Sequence, residues 1–416
     1  MARFLTLQSV DSILEHVGKF LPLPGESLPP EEALNRVLAA PFHAPENLPH
    51  FSRSSMDGFA VRAKDVFGAS EGAPALLDCV GECPMGRKTE LVLAPGQTAR
   101  IWTGGMLPEG ADAVVMLEYS RRTGSGRMEQ VELTRPVAPL DNVIAAGEDA
   151  EKGALLLEAG RLLRPQELGM LAAFGVRVVE VRRRARVAVI SSGDEIVPDD
   201  IAPAPGQVRD INARTLTALV RAGGGEARFS GIAEDSGAAL LRMLKDAMSW
   251  ADVVLLSGGS SAGQRDCTLD ALSALPGMDI LAHGVAISPG KPLILARKGA
   301  QSFWGLPGHA GSALVCAEVF IRPLLRRLAG QGEPAPWRDV VRAVLGRPIA
   351  SAQGRRDYIR VRIQPPEESG GLPSAMPIAG KSGLITTLTE ADALVVCPED
   401  MEGLAAGEIV TARFLL

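Results

Sequence analysis

Val187-Ala188-Val189-Ile190 runs without a break into Ser191-Ser192-Gly193-Asp194-Glu195. Four consecutive apolar residues describe a strand buried on both faces, and the small, polar and acidic string after them describes a loop at its carboxyl end. The pattern recurs where Asp252-Val253-Val254-Leu255-Leu256 feeds Ser257-Gly258-Gly259-Ser260-Ser261-Ala262-Gly263-Gln264-Arg265-Asp266. Between them the sequence predicts a helix from Asn212, its cap, to Arg221, stopped by Gly223-Gly224-Gly225. A strand at Ala227 to Ile232 follows, then a helix capped by Asp235 and Ser236 that carries Leu240, Leu241, Leu244 and Met248. Two crossovers of this length imply a mostly parallel, doubly wound α/β sheet with helices on both faces.

Beyond that sheet, short strands are expected near Ala286-Ile287 and Leu293-Ile294-Leu295. The loop Leu306-Pro307-Gly308 then opens a long helix from about Ala310 to Leu328. Gly330 to Trp337 reads as a Pro/Gly linker, and the short strands Tyr358 to Ile363, Leu394-Val395-Val396 and Ile409-Val410 as a small β barrel. On the amino-terminal side, Arg182-Arg183-Arg184 reads as a solvated linker, preceded by a helix at Pro165 to Phe174 and a strand at Val176 to Val181. Residues 43 to 160, rich in Gly and Pro with short Val, Leu and Ile runs, read as mainly β. Leu5 to Phe20 has helical spacing, and a second helix is expected from Pro29 to Leu38. The chain is therefore an α/β multidomain protein. Residues 1–42 with 140–182 form a helical or mixed domain, 43–139 a β-rich inserted domain, 183–329 the α/β domain and 330–416 the C-terminal β barrel.

With 416 residues, 46% apolar, 22% charged and a net charge of -6, the chain has the balance of a globular protein that binds no nucleic acid. Aromatic residues are only 4%, too few for base-stacking platforms. Cys79, Cys83, Cys267, Cys316 and Cys397 are odd in number and scattered, as suits a reducing compartment, and Cys79 and Cys83 read as ordinary loop or strand residues. No run approaches the length of a membrane span and no signal pattern opens the chain, so a cytoplasmic location is expected.

Ligands of an open parallel sheet bind beyond the carboxyl ends of its strands. There, glycines let backbone N–H groups approach a phosphate, Ser192 and Ser257 add donors, and a terminal carboxylate can hold Mg²⁺. The combination suggests a nucleotide or phosphorylated cofactor, although neither the Walker nor the Rossmann fingerprint is present. Ser288-Pro289-Gly290-Lys291-Pro292 puts one of only eight lysines in a turn at the same face, and Gly305-Leu306-Pro307-Gly308-His309 precedes a helix N-terminus.

Seven strings stand in a recognisable order: Met56-Asp57-Gly58-Phe59-Ala60, Arg100-Ile101 with Thr103-Gly104, Gly110-Ala111-Asp112-Ala113-Val114-Val115, Ser192-Gly193-Asp194-Glu195, Ser257-Gly258-Gly259 with Asp266, Pro289-Gly290-Lys291-Pro292, and Gly305-Leu306-Pro307-Gly308. In order and spacing the chain resembles, over essentially its whole length, the molybdopterin molybdenumtransferase family, a relative of the gephyrin E domain. The resemblance implies an elongated homodimer of four-domain subunits, with sites shared between subunits, that inserts molybdate into adenylylated molybdopterin and releases AMP with Mg²⁺ present. It implies partners among molybdopterin adenylyltransferases and molybdoenzymes. By matched position, Asp57, Thr103, Glu195, Asp235 and Asp266 are the polar active-site residues, with Glu195 and Asp266 at the Mg²⁺ and Asp57 with Thr103 on the partner wall. Ser192, Gly193, Ser257, Gly258, Gly259, Lys291, Pro307, Arg360 and Ser382 contribute to cofactor binding.

Three stretches depart from the family pattern: Ser288 stands where Lys is usual, His309-Ala310-Gly311-Ser312 where Asn-Pro-Val-Ser is usual, and Ser260-Ser261-Ala262-Gly263 where Val-Ser-Val-Gly is usual. They lie at the ligand end. The alternatives are therefore a paralogue handling tungstate or another pterin form, and a non-catalytic molybdopterin-binding scaffold on the same fold.

Overall fold

A computed structural model describes residues 7–123, 129–258, 264–332, 339–366 and 370–415, with the side chains of residues 264–266 outside the description. The chain packs as two compact units. The first takes Met1–Ala40, Ala159–Pro165 and Val178–Leu416, and the second takes Pro41–Glu158 and Gln166–Arg177.

The centre of the first unit is a six-stranded sheet in the order Glu226–Ala233, Arg186–Ser192, Val253–Gly258, Gln301–Leu306, Ile294–Lys298, Asp279–His283. The first four strands are parallel, and the last two attach by antiparallel pairing. Strand alternation sorts the apolar residues into two cores. Val187, Val189, Val253, Leu255 and Trp304 face the helices Val10–Gly18, Asn212–Ala222 and Ala310–Cys316 and its continuation. Ala188, Ile190, Val254, Leu256 and Phe303 face Gly237–Met248 and Gln264–Ser273. Period-two alternation between two helical layers is why the central strands read as continuous apolar runs. The helix from Ala310 does reach Leu328, as one rod with a π-helical turn at Ala317–Ile321.

Two expectations for the segments before the central sheet fail. No helix spans Pro29 to Leu38. The strand Gly25–Leu28 pairs with Val179–Arg182, and a single 3-10 turn at Pro30–Glu32 follows. Asn35 sits in the left-handed region at φ +60°, which ends any helix. The backbone then bonds to distant chain, Asn35 N–H to Leu163 C=O at 2.8 Å and Leu38 N–H to Arg161 C=O at 2.9 Å. Nor is Arg182-Arg183-Arg184 a solvated linker. Arg182 donates to the carbonyls of Leu23 and Ala39, and both Nη atoms of Arg183 lie 2.7 Å from the Asp252 carboxylate, leaving only Arg184 exposed.

The C-terminal strands Val340–Leu345, Ser374–Pro377, Arg356–Gln364, Ala393–Cys397 and Ile409–Phe414 pair in that order, and the last returns to the first. The result is a closed five-stranded barrel around Leu345, Val361, Val395 and Val410. It joins the α/β part through Ile287–Ser288, which pairs parallel with Arg356–Asp357. Arg356 also forms ion pairs with Asp11 and Glu399.

The second unit is built on a mainly antiparallel sheet in the order Ala113–Met116, Gly58–Val61, Gln97–Ile101, Ala75–Glu82, Gln130–Leu133, Ser120–Thr123. Phe59, Val61, Val115 and Val131 fill one side, and Ala60, Ala99, Ile101 and Val114 the other. Among the described residues no helix is long and apolar enough to cross a membrane.

Trp304 is 0% exposed and stacks on Phe320 at 6.2 Å between ring centroids. Trp304→Ala should destabilise by about 3–5 kcal/mol through lost burial and a cavity. Chemical denaturation should show a large fall in midpoint, and an unshifted midpoint would contradict this packing.

Candidate active site

At the carboxyl ends of the parallel strands three chain segments touch. Gly258, at φ +106°, lies so close to the Ser192 carbonyl that a Cβ would collide with it, and a Cβ on Gly308 would stand 3.6 Å from Gly258 Cα. Glycine is required at 258 by both its dihedral angle and this approach. On the Ser192 side, Ser192 Oγ donates to Asp235 Oδ1 at 3.0 Å. Asp194 and Asp235 lock each other: Asp194 N–H donates to Asp235 Oδ2 at 3.3 Å and Asp235 N–H to Asp194 Oδ1 at 3.0 Å. Asp235 therefore ties two strand ends together, and the N-cap position of the following helix falls to the next residue. The N-cap is Ser236, accepting from Ala239 N–H.

Asn212 is likewise not a cap. Ile211 holds the N-cap position, Asp210 Oδ1 accepts from Ala213 N–H at 3.0 Å, and Asn212 is the first helical residue with its side chain buried. Its Nδ2 donates to Ser257 Oγ at 2.6 Å and to Gly308 C=O at 2.7 Å. Sequence reasoning missed this role and that of Asp194. The signal was Asp210, two positions earlier, which supplies the cap and frees the amide.

The buried Pro307 carries the chain into the turn before Ala310. Just beyond, Gly311 N–H donates to Ser382 C=O at 2.8 Å, and His309 Nδ1 stands 3.5 Å from Ser382 Oγ. Arg360 reaches the same loop, donating to Gly380 C=O at 3.0 Å and to the Thr387 hydroxyl. Burial lowers its pKa from the usual arginine value, yet a guanidinium stays charged in proteins. Arg360 and Ser382 thus adjoin the Gly308 turn. Lys291 sits at the same sheet end, because Ile294 pairs with Gly305. It lines a cleft of about 390 Å³ with Ser288, Gly290 and Arg355.

Glu195 is exposed, and its carboxylate folds back so that a Cβ on Gly193 would meet Oε2 at 2.8 Å. Gly259 and the Asp266 side chain lie outside the described residues; the Asp266 backbone belongs to the helix Gln264–Ser273. Asp57 and Thr103 belong to the second unit and bind each other. Thr103 N–H and Oγ1–H both donate to Asp57 Oδ1, at 2.8 and 2.7 Å. These bonds, the backbone one first, hold the Asp57 pKa below the usual carboxylate value, aided by Arg100.

Three family models cover the chain: "MoeA N-terminal region (domain I and II)" over residues 7–175, "Probable molybdopterin binding domain" over 188–327 and "MoeA C-terminal region (domain IV)" over 342–415. The chain belongs to the MoeA family of molybdopterin molybdenumtransferases. It is 35% identical to molybdopterin molybdenumtransferase 2 of Mycobacterium tuberculosis, over 92% of this chain and 93% of that one. Its identity to the molybdopterin molybdenumtransferase of Haemophilus influenzae is 32%, over 98% of each chain. Among solved structures, the molybdopterin biosynthesis MoeA protein from Pyrococcus horikosii superposes with a TM-score of 0.82 at 34% identity, covering 98% of this chain and 99% of that one. The MoeA fold is thus shared along the whole length, including the closed C-terminal barrel.

Two predictions follow the geometry. Thr103→Val removes the hydroxyl donor, so the Asp57 pKa should rise toward the ordinary carboxylate value. An NMR pH titration of Asp57 reads this directly, and an unmoved titration would show that the Thr103 hydroxyl does not hold the carboxylate. Gly258→Ala should cost about 1–3 kcal/mol in backbone strain before any steric clash is counted, visible as a lowered melting temperature.

Proposed function

We propose that the chain, within molybdenum cofactor biosynthesis, inserts molybdate into adenylylated molybdopterin and releases AMP in a Mg²⁺-dependent step in the cytoplasm. The observation that carries this reading is the meeting at one sheet end of the Ser192–Asp194–Asp235 lock, the Ser257–Gly258 strand end and the Gly308 turn, adjoined by Arg360. Lys291 lies at the same end.

The substrates are a phosphoanhydride and an oxyanion, so the chemistry is governed by negative charge. The Ser257 hydroxyl and the backbone around Gly193 and Gly258 offer donors to the pterin and phosphates, Ser192 holds Asp235 in place beside them, and Lys291 and Arg360 offset anionic charge. The acidic residues suit a hard cation. Among the described residues no three acidic, histidine or cysteine side chains form a metal cage, and Mg²⁺ is commonly held by one or two carboxylates together with substrate phosphates. Glu195 and Asp266 would hold it, and when bound it supplies neutralisation of phosphate charge. No protein nucleophile is required: a water or metalate oxygen attacks phosphorus, the P–O bond of the anhydride breaks and AMP leaves, while the two dithiolene sulfurs replace metalate oxygen, which departs as water with the thiol protons. Ser288 and His309, which depart from the family pattern, would tune the preference for metalate or pterin form. We further propose a four-part domain division and a homodimer in which Asp57 and Thr103 of one subunit complete the site of the other.

Incubation with adenylylated molybdopterin, Mg²⁺ and either molybdate or tungstate tests the reading through AMP release and metal retained. AMP release with molybdate retention supports it. Retention of tungstate alone would reassign the metalate, and binding without AMP release would make the protein a scaffold. Asp266→Asn should lower AMP release at least tenfold, about 1.4 kcal/mol, with little change in melting temperature. Asp57→Asn and Asp266→Asn proteins, mixed so that subunits exchange, should recover about a quarter of wild-type activity, since about half the dimers are mixed and each has one intact site. No recovery after confirmed exchange rejects the shared site.

A further inference from the structure

The strand-end segments are held by different means, and one of these is a single side chain. Ser192 and Gly258 meet backbone to backbone, and Asp194 and Asp235 exchange hydrogen bonds. The Gly308 turn is tied to the Ser257 strand end through Asn212 Nδ2, which donates to both. Asn212 is 7% exposed and Ser257 3%, so the bond between them is shielded from water, where a hydrogen bond gains strength and a lost one is costly; the bond to the exposed Gly308 turn is part-buried. Asn212 is itself fixed. It opens the helix Asn212–Ala222, whose first turn is anchored by Asp210, and Asp210 N–H donates to Val197 C=O at 2.8 Å. The Gly308 turn in turn leads to His309 and Gly311, against the Ser382 loop that Arg360 grips.

We infer that Asn212 is a positioning residue, a latch that sets the spacing between the Ser257–Gly258 strand end and the Pro307–Gly308 turn and thereby aligns the sheet-end donors with the Arg360 and Ser382 side of the site. It touches no substrate. Its effect reaches the reaction through the two segments it joins, and in this the inference rests on the function proposed above. Only an amide serves both bonds. In an aspartate the oxygen replacing Nδ2 can still accept from the Ser257 hydroxyl, but it faces the Gly308 carbonyl with no proton to offer. Asn212→Asp, assayed at a pH where the new carboxyl is ionised, therefore keeps the shape while breaking the link to the turn. Asn212→Ala breaks both links.

The test compares wild-type protein, Asn212→Asp and Asn212→Ala in AMP release from adenylylated molybdopterin with Mg²⁺ and molybdate, beside hydrogen–deuterium exchange resolved by peptide. The latch predicts at least a tenfold fall in kcat for both variants. Exchange should quicken at residues 306–311, while the helix Asn212–Ala222 and the central strands keep their protection. Exchange that rises evenly over helix and strands, or wild-type kcat in Asn212→Asp, overturns the inference. Should neither variant fold, Ser257→Ala removes one acceptor and leaves the amide; quicker exchange at 306–311 in that protein supports the latch, and unchanged exchange there overturns it. A wild-type protein that releases no AMP refutes the proposed function instead, and the exchange pattern still decides whether Asn212 ties the turn.

Discussion

Gly258 has no side chain because the Ser192 carbonyl occupies the place where one would begin. That contact brings two neighbouring parallel strands to a common end, and the rest of the α/β site is arranged around it. Asp235 can reach Ser192 and Asp194 because those ends are level, and Asn212 can reach Ser257 and Gly308 because the next strand, Gln301–Leu306, finishes beside them. A parallel sheet delivers strand ends to one edge by its topology. What the side chains add is their spacing.

The central strands were plain in the sequence because burial on both faces leaves no polar residue between Val187 and Ile190 or between Val253 and Leu256. Gln301–Leu306 was hidden for the opposite reason. It contains Ser302 and Gly305, and a glycine in a short apolar run reads as a turn, whereas Gly305 is there because a Cβ would press on Ile294 at 3.1 Å. The helix Gln264–Ser273 was masked by its polar opening, Gln264-Arg265-Asp266, which read as a continuation of the glycine loop. The stretch from Pro29 to Leu38 failed through tertiary context, since its apolar residues serve backbone pairing with residues 161 to 182. Arg182 and Arg183 looked solvated because sequence cannot show that carbonyls and Asp252 await them.

The site residues divide along the same line. Ser192, Ser257 and Gly258 were legible from position alone, as small residues after buried strands. Asp57 and Thr103 were legible only from the ordered strings. Asn212 was assigned the generic task of an asparagine before a helix, and the correct one depended on Ser257 and Gly308, 45 and 96 residues away. Long-range pairing of this kind leaves no local trace.

The discontinuity of the first unit also bears on how the chain acquires its shape. The helix Val10–Gly18 packs with Phe320 and Leu324, and Gln8 donates to Leu281 C=O, 273 residues onward. The segment Gln8–Gly18 therefore meets these partners only after the long stretch between them has been made, whereas the bulk of the second unit, Pro41–Glu158, is complete far earlier. Synthesis from the N-terminus lets such a unit fold first. The helix Val10–Gly18 waits for these partners in the meantime, and its docking is among the late events of assembly.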